Sequence, residues 1–150
     1  MTKGFFGPNA RTFEELDAIE GTAMVGETCY SFSIGSFLFG YCVNLARELH
    51  RRYGYAYEML IVNGEFVHLY TVANINGQTH YIDARGMTSF FSEFAMPFLL
   101  GPSCSYQRIP GTNPAVQAII DDQQYFPDDA ISDAMLQWLF ALQGDAFVIK

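Results

Sequence analysis

The stretch FVHLYTVANINGQTHYIDARG, residues 66–86, decides the fold, because it predicts two β-strands joined by a tight turn. Apolar and aromatic residues run along both arms, and the letters NING at residues 74–77 are a strong turn signal. The first arm nevertheless carries His68, and the second ends its apolar run with Asp83, a residue that strands disfavour. A purely structural hairpin needs neither side chain, so the pair calls for an explanation.

The length of the turn decides whether His68 and Asp83 lie on one face of the hairpin. Side chains alternate between the two faces of a strand. We expect one face of the first arm to carry Phe66, His68, Tyr70 and Val72. A two-residue turn at Asn76–Gly77 places His68 diagonal to Asp83, roughly 7 to 8 Å apart between backbones, and a four-residue turn places them directly opposite. A three-residue turn would put them on opposite faces.

The other two histidines do not compete for this position. His80 lies out of phase with Asp83 along the second arm and is predicted to point to the other face. His50 lies among the arginines of a predicted helix, and we expect solvent around it. His68 is therefore the one histidine that the pattern pairs with a carboxylate.

Working outward from the hairpin, the sequence predicts one α+β domain over residues 1–150, with an antiparallel sheet in the middle and helices toward the ends. Further strands are expected at residues 56–62 (AYEMLIV) and 104–109 (CSYQRI). Helices are expected at residues 10–22 (capped by Thr12 with Glu15, stopped by Gly21), 42–54 (stopped by Gly54), 88–96, 113–126 and 127–143, the last with Pro127 at its start. The aromatic run CYSFSIGSFLFG, residues 29–40, has no clear assignment.

Composition and charge limit the classes of function. Half of the 150 residues are hydrophobic and 16% are aromatic, which is typical of a globular protein with a substantial core. The formal net charge of -8 disfavours nucleic-acid binding, because there is no basic surplus to neutralise phosphates. The sequence predicts neither a signal peptide nor a membrane span. We therefore expect a cytoplasmic protein, or one exported without a cleavable signal.

The three cysteines, Cys29, Cys42 and Cys104, are odd in number and widely spaced, which indicates free thiols and no zinc site. We expect neither a metal ion nor a cofactor. Cys42 is the strongest candidate nucleophile, because it opens the helix at residues 42–54, where free backbone N–H groups and the helix dipole favour a thiolate. The alternative is a buried, inert cysteine on the apolar stripe of that helix. Cys29, in a loop-like region, is a weaker rival.

The segments GYCVNLARELHRRYG, EFVHLYTV and HYIDARG together resemble the transglutaminase-like branch of the papain-like cysteine enzymes. In this chain 26 residues separate Cys42 from His68, and 15 separate His68 from Asp83. The resemblance covers the region from residue 40 to residue 90. It implies that Cys42 attacks an acyl carbon, that His68 transfers the proton, and that Asp83 fixes the imidazole tautomer and stabilises its charged form.

The chain also departs from the pattern of that family. Val43 follows the cysteine where transglutaminases often carry Trp. Papain-like proteases place a Gln upstream of the cysteine to complete the oxyanion hole, whereas the corresponding region here offers only Ser33 and Ser36. No calcium-binding acidic cluster is evident, so a calcium-dependent cross-linking enzyme is not expected.

The leading hypothesis is a cysteine-dependent enzyme, a hydrolase or acyltransferase, that acts on an amide bond through a Cys42–His68–Asp83 triad. Thiol proteases, amidases, deamidases and transglutaminases share the acyl-thioester step, so the substrate is predicted only as a protein or peptide. By analogy, a compact enzyme of this kind would suit a bacterial or phage effector. The alternative is a non-catalytic binding module in which Cys42 belongs to the core and His68 and Asp83 form a cross-strand hydrogen bond. Nothing in the sequence indicates an oligomeric state.

Overall fold

The computed structural model of the chain describes residues 2–99, 101, 103–122 and 129–149. Its strands are β1 (Thr2–Gly4), β2 (Glu20–Val25), β3 (Thr28–Ser33), β4 (Ala56–Val62), β5 (Glu65–Ile75), β6 (Gln78–Asp83), β7 (Gly86–Thr88) and β8 (Tyr106–Pro110). Its helices are α1 (Phe13–Asp17), α2 (Cys42–Tyr53), α3 (Phe91–Ala95), α4 (Pro114–Asp121) and α5 (Asp129–Gln143). The predicted α+β class with an antiparallel sheet is thereby confirmed. None of the helices in the described ranges is long and apolar enough to cross a membrane.

Six of these strands form one sheet in the order β1-β7-β6-β5-β4-β8, and its neighbouring strands pair antiparallel. Strands β2 and β3 form a separate hairpin. Asn76 and Gly77 have φ angles of 53° and 82°, the left-handed conformations that a two-residue hairpin turn requires. Ile75 pairs with Gln78 across this turn, so the shorter of the two even-length turns is the one present.

A β-bulge immediately precedes His68 and changes one part of the face prediction. Leu60 pairs with His68, but the next residue, Ile61, pairs with Phe66. Val67 is therefore an extra residue on β5. Phe66 packs with the smaller apolar cluster that includes Cys42 and Leu69, whereas Val67 packs with the larger core that includes Leu60 and Tyr70. The prediction that Phe66 shares a face with His68 is wrong, because strict alternation fails at a bulge.

Helix α1 begins as predicted but ends earlier. The Thr12 hydroxyl accepts the Glu15 backbone N–H, and the Glu15 carboxylate accepts the Thr12 backbone N–H, both at 3.1 Å, which completes the predicted capping box. Gly21, predicted as the stop of this helix, instead lies within β2. A Cβ at Gly21 would sit 2.5 Å from the indole of Trp138, so close packing, and not a helix end, requires glycine there.

The other predicted elements are present with adjusted bounds. Residues 29–40 supply most of β3 and a short 3-10 turn. The helix predicted at residues 88–96 is reduced to α3, because Thr88 belongs to β7, and no side chain caps its start at Phe90. The predicted terminal helices are represented by α4 and α5, while residues 123–128, which include the predicted end of the first helix and Pro127, lie outside the described residues.

Helix α2 packs on one side of the sheet, chiefly against β5. It ends as predicted at Gly54, whose φ is 72°. Its buried start joins a cluster contributed by α2, β4, β5 and α4, whose members are Cys42, Val43, Ala46, Met59, Leu69, Val116 and Ile120. This packing holds the first turn of the helix beside the middle of β5, which is the strand that carries His68.

Candidate active site

Cys42 is the first residue of α2, and the turn that precedes it is held by backbone hydrogen bonds. The Tyr41 N–H donates to the Ser36 carbonyl oxygen at 2.9 Å, and no side chain of the N-cap residue, Tyr41, accepts from the first turn of the helix. The Cys42 side chain lies inward and is only 5% exposed. Cys42 therefore lies at the predicted start of the helix. It is also buried on the apolar stripe of that helix, as the alternative interpretation expects.

His68 and Asp83 lie on the same side of the sheet, and their side chains meet. The distance between His68 Nε2 and Asp83 Oδ2 is 2.9 Å. His68 is fully buried and Asp83 is 2% exposed, so solvent does not weaken the contact. The prediction that a two-residue turn brings these side chains together across the hairpin is confirmed.

Charged neighbours keep Asp83 ionised despite its burial. Burial raises the pKa of Asp83, but the positive charge of Arg85 and the hydrogen bond from His68 outweigh this effect and hold the pKa well below its ordinary range. A carboxylate can only accept hydrogen bonds. A neutral His68 must therefore donate from Nε2 to Asp83, which leaves the lone pair on Nδ1.

The second ring nitrogen of His68 is the one available to the cysteine. Nδ1 is buried and makes no hydrogen bond of acceptable geometry with any described residue. Burial lowers the pKa of His68, but the hydrogen bond with Asp83 and the proximity of Cys42 more than offset this, so the pKa lies above the ordinary value for histidine. Cys42, His68 and Asp83 also line one small cavity, which has no room for a water molecule. The structure thus brings the three predicted residues together in a closed cluster.

Arg85 is a member of this cluster that the sequence analysis missed. Its Nη2 donates to Asp83 Oδ2 at 2.7 Å, its Nε lies 3.1 Å from Oδ1, and its backbone N–H donates to Oδ1 at 2.9 Å. Arg85 is only 3% exposed. The signal that was available is the spacing: an arginine two residues after an aspartate that ends a buried strand is within reach as a counter-ion.

Aromatic rings close the cluster on the side of His68. The Phe98 ring stacks on the imidazole with a centroid distance of 4.3 Å and an angle of 19°, and the Phe94 and Tyr70 rings lie at 5.9 and 5.6 Å. Phe94 belongs to α3, and Phe98 to the 3-10 turn Met96–Phe98 that follows it. We call Phe91–Phe98 the cover segment. This segment therefore covers one side of the buried imidazole.

The other candidates do not join the cluster. His80 pairs with Ala73, and its Nδ1 lies 3.1 Å from the Gln78 carbonyl oxygen. His50 is exposed, as expected, with its Nδ1 2.6 Å from the carbonyl oxygen of Tyr55. Cys29, the rival nucleophile, lies exposed on β3, and Cys104 is partly exposed; the three cysteines are free.

The two serines considered for the oxyanion hole have other partners. The Ser33 hydroxyl donates to Asp17 Oδ1 at 2.6 Å, and the Ser33 N–H donates to the Ser36 hydroxyl at 3.0 Å. These hydrogen bonds connect α1 to the turn that precedes α2, so the role that the structure shows for the two serines is structural. The backbone N–H groups at the start of α2 are the other donors that could hold an oxyanion.

Comparison of the chain with protein-family models, with curated protein sequences and with solved structures gave no match.

Proposed function

We propose that this protein is a cysteine-dependent enzyme that transfers the acyl group of an amide bond, with Cys42 as nucleophile, His68 as base and Asp83 as orienting carboxylate. One observation carries the proposal. The buried imidazole of His68 is held through Nε2 by an ionised carboxylate at 2.9 Å, while Nδ1, which makes no hydrogen bond of acceptable geometry with the described residues, is left for the neighbouring thiol. A purely structural histidine would be expected to satisfy both ring nitrogens.

The chemistry follows from this arrangement. As the Cys42 sulfur attacks the carbonyl carbon, His68 Nδ1 accepts the thiol proton, and the Nε2–H bond to Asp83 stabilises the resulting imidazolium. The imidazolium then protonates the leaving nitrogen, the C–N bond breaks, and the acyl group stays on Cys42 as a thioester. Water or a second amine attacks that thioester, its proton passes through His68 to the sulfur, and the C–S bond breaks.

We also propose that the finer architecture is papain-like, of the transglutaminase-like branch. What supports this is the order of the parts: a helix that begins with the cysteine packs on a strand bearing the histidine, and the aspartate lies on the adjacent antiparallel strand. Val43 in place of Trp and the absence of an upstream Gln are departures that this proposal has to accommodate.

The test is a substrate panel read by mass spectrometry. The protein is incubated with peptides, with glutamine-containing peptides plus a primary amine, and with peptidoglycan fragments. Cleavage of a peptide bond splits the substrate, deamidation replaces an amide NH2 by OH without cleavage, and amine incorporation replaces ammonia by the added amine, so the product masses differ. We expect turnover of one class, lost in Cys42→Ala and His68→Gln. Cys29→Ala is the matched control and should retain it. Activity that survives Cys42→Ala would refute the assignment of the nucleophile.

A non-catalytic binding module is the second candidate, and the closure of the cluster favours it. Cys42, His68 and Asp83 are all nearly inaccessible, and no water fits between them. In this alternative, the three residues act as a buried polar network that holds α2 on the sheet. It predicts that Cys42→Ala lowers the stability of the protein and changes no reaction in the panel.

A further inference from the structure

We propose that Arg85 is a positioning residue that fixes the tautomer of His68 by fixing the orientation of Asp83. This inference rests on the proposed function for its purpose, but the positioning itself is a physical property that can be measured without a substrate.

The contacts of Arg85 leave Asp83 a single orientation. The backbone N–H of Arg85 donates to Oδ1 at 2.9 Å and Nη2 donates to Oδ2 at 2.7 Å, while Nε lies between the two oxygens, 3.1 Å from Oδ1 and 3.2 Å from Oδ2. Oδ2 also receives the His68 Nε2 contact. Because the guanidinium is planar and its donors form a rigid fork, rotation of the carboxylate would break more than one of these hydrogen bonds.

The guanidinium is itself held by the cover segment and by the chain start. Its Nη2 donates to the carbonyl oxygen of Phe94 at 2.8 Å in addition to Asp83. Its central carbon lies 4.7 Å from the ring centre of Phe6, 4.8 Å from that of Phe94 and 5.6 Å from that of Phe98. These rings attract the cation and exclude water from it. One side chain therefore connects the carboxylate to the segment that covers the imidazole.

The consequence for His68 is a fixed proton position. A carboxylate held against Nε2 requires the proton of the neutral ring to be on Nε2, so Nδ1 presents its lone pair toward the cysteine. If Asp83 were free to turn away, only the weak S–H donor of Cys42 would still favour this tautomer, and the fraction of rings able to accept the thiol proton would fall. Arg85 touches neither the imidazole nitrogens nor Cys42 through a hydrogen bond, and it acts through Asp83.

The experiment measures the His68 tautomer by nitrogen NMR of protein carrying 15N-labelled histidine. Resonances are assigned with His68→Gln, and spectra are recorded at a pH where the ring is neutral. The wild-type protein should show a single tautomer with the proton on Nε2. Arg85→Lys keeps the charge but loses the fork, and it should give a mixture of tautomers together with slower alkylation of Cys42.

The matched control is Arg52→Lys. Arg52 also pairs with a carboxylate, Glu48, at 2.7 Å and lies 3.8 Å above the ring of Phe140, but it is on the exposed side of α2. This variant should leave the His68 spectrum unchanged. If Arg85→Lys does not fold, Arg85→Gln is read in the same way.

The possible results separate the two proposals. A single Nε2–H tautomer in the Arg85 variant overturns the positioning role. A tautomer mixture supports it, and this support stands even if the substrate panel detects no Cys42-dependent turnover, in which case the proposed function fails alone.

Discussion

The replacement of Asp83 by Asn tests the electrostatic basis of the cluster most sharply. The amide has nearly the volume of the carboxylate, so the change creates no cavity and its cost is one of charge and hydrogen bonding. In the wild-type protein Asp83 balances the cation of Arg85, which is 3% exposed. Removing one partner of a buried ion pair leaves the other charge uncompensated, at a typical cost of about 3 to 5 kcal/mol.

This cost is a large part of the total stability. Single domains are stable by roughly 5 to 15 kcal/mol, and a domain of this size loses about 2 to 4 °C of melting temperature per kcal/mol. We therefore expect Asp83→Asn to lower the melting temperature by roughly 6 to 20 °C. Glu48→Gln is the control, because Glu48 pairs with Arg51 and Arg52 on the surface of α2, where such pairs contribute only about 0 to 1 kcal/mol.

The destabilisation caused by Asp83→Asn should depend on pH in one direction only. An aspartate of the unfolded chain ionises near pH 3.9, whereas in the folded protein the Arg85 charge and the His68 contact lower the pKa of Asp83. The stability contributed by the carboxylate is therefore complete above about pH 4 and is lost as the pH falls through the lower folded pKa. Urea denaturation at pH 7 and at successively lower pH should show the difference between wild type and Asp83→Asn shrinking in acid. A difference no larger than that of Glu48→Gln, or one that does not change with pH, would refute the reasoning.

Three further predictions concern the ring stacked on His68, the pH dependence of the His68 contribution to stability, and the packing of Gly86. Phe98→Ala removes the ring stacked on His68 and should speed alkylation of Cys42, while Phe147→Ala, an equally buried change with a similar cost of about 3 to 5 kcal/mol, should not. Because the pKa of His68 is raised, its stabilising contribution should be complete below about pH 6.5 and lost as pH rises through the folded value, so urea denaturation of wild type and His68→Gln should converge in alkali. Gly86→Ala should lower the free energy of unfolding by roughly 2 to 5 kcal/mol, because φ is +118° and the new Cβ would lie 2.3 Å from a backbone oxygen. Gly64→Ala is the control: its φ is +80° but the space around it is open, so only the backbone strain of about 1 to 2 kcal/mol is expected. Thermal unfolding measures both.

The parts of the fold that local chemistry determines could be predicted. The Asn76–Gly77 turn was predictable because its left-handed conformations favour these residues and because side-chain alternation then sets the faces of His68 and Asp83. Helix α2 was predictable because its apolar residues recur at helical spacing and Gly54 stops it. In both cases the determining interactions lie within a few residues along the chain.

The parts that depend on distant contacts could not be predicted. The extra residue at Val67 follows from pairing with β4 and leaves no mark in the alternating pattern. Gly21 resembled a helix stop, but its role depends on Trp138, far along the chain. The stacking of Phe98 on His68 likewise depends on how the cover segment folds back over the sheet. Arg85 is the intermediate case, since its distance along the chain is short but its burial is set by remote aromatic rings.

The central claim is that His68 activates Cys42, and the most direct measurement is the rate at which Cys42 reacts with a small dipyridyl disulfide near pH 5. Cys29 and Cys104 are first replaced by Ser, so that Cys42 is the only thiol. An ordinary thiol is almost entirely protonated at this pH and reacts slowly. We predict that Cys42 reacts at least about tenfold faster with His68 present than in His68→Gln, corresponding to roughly 1.4 kcal/mol of activation. Equal rates in the two proteins would contradict the account, and Cys42 would then be a core residue.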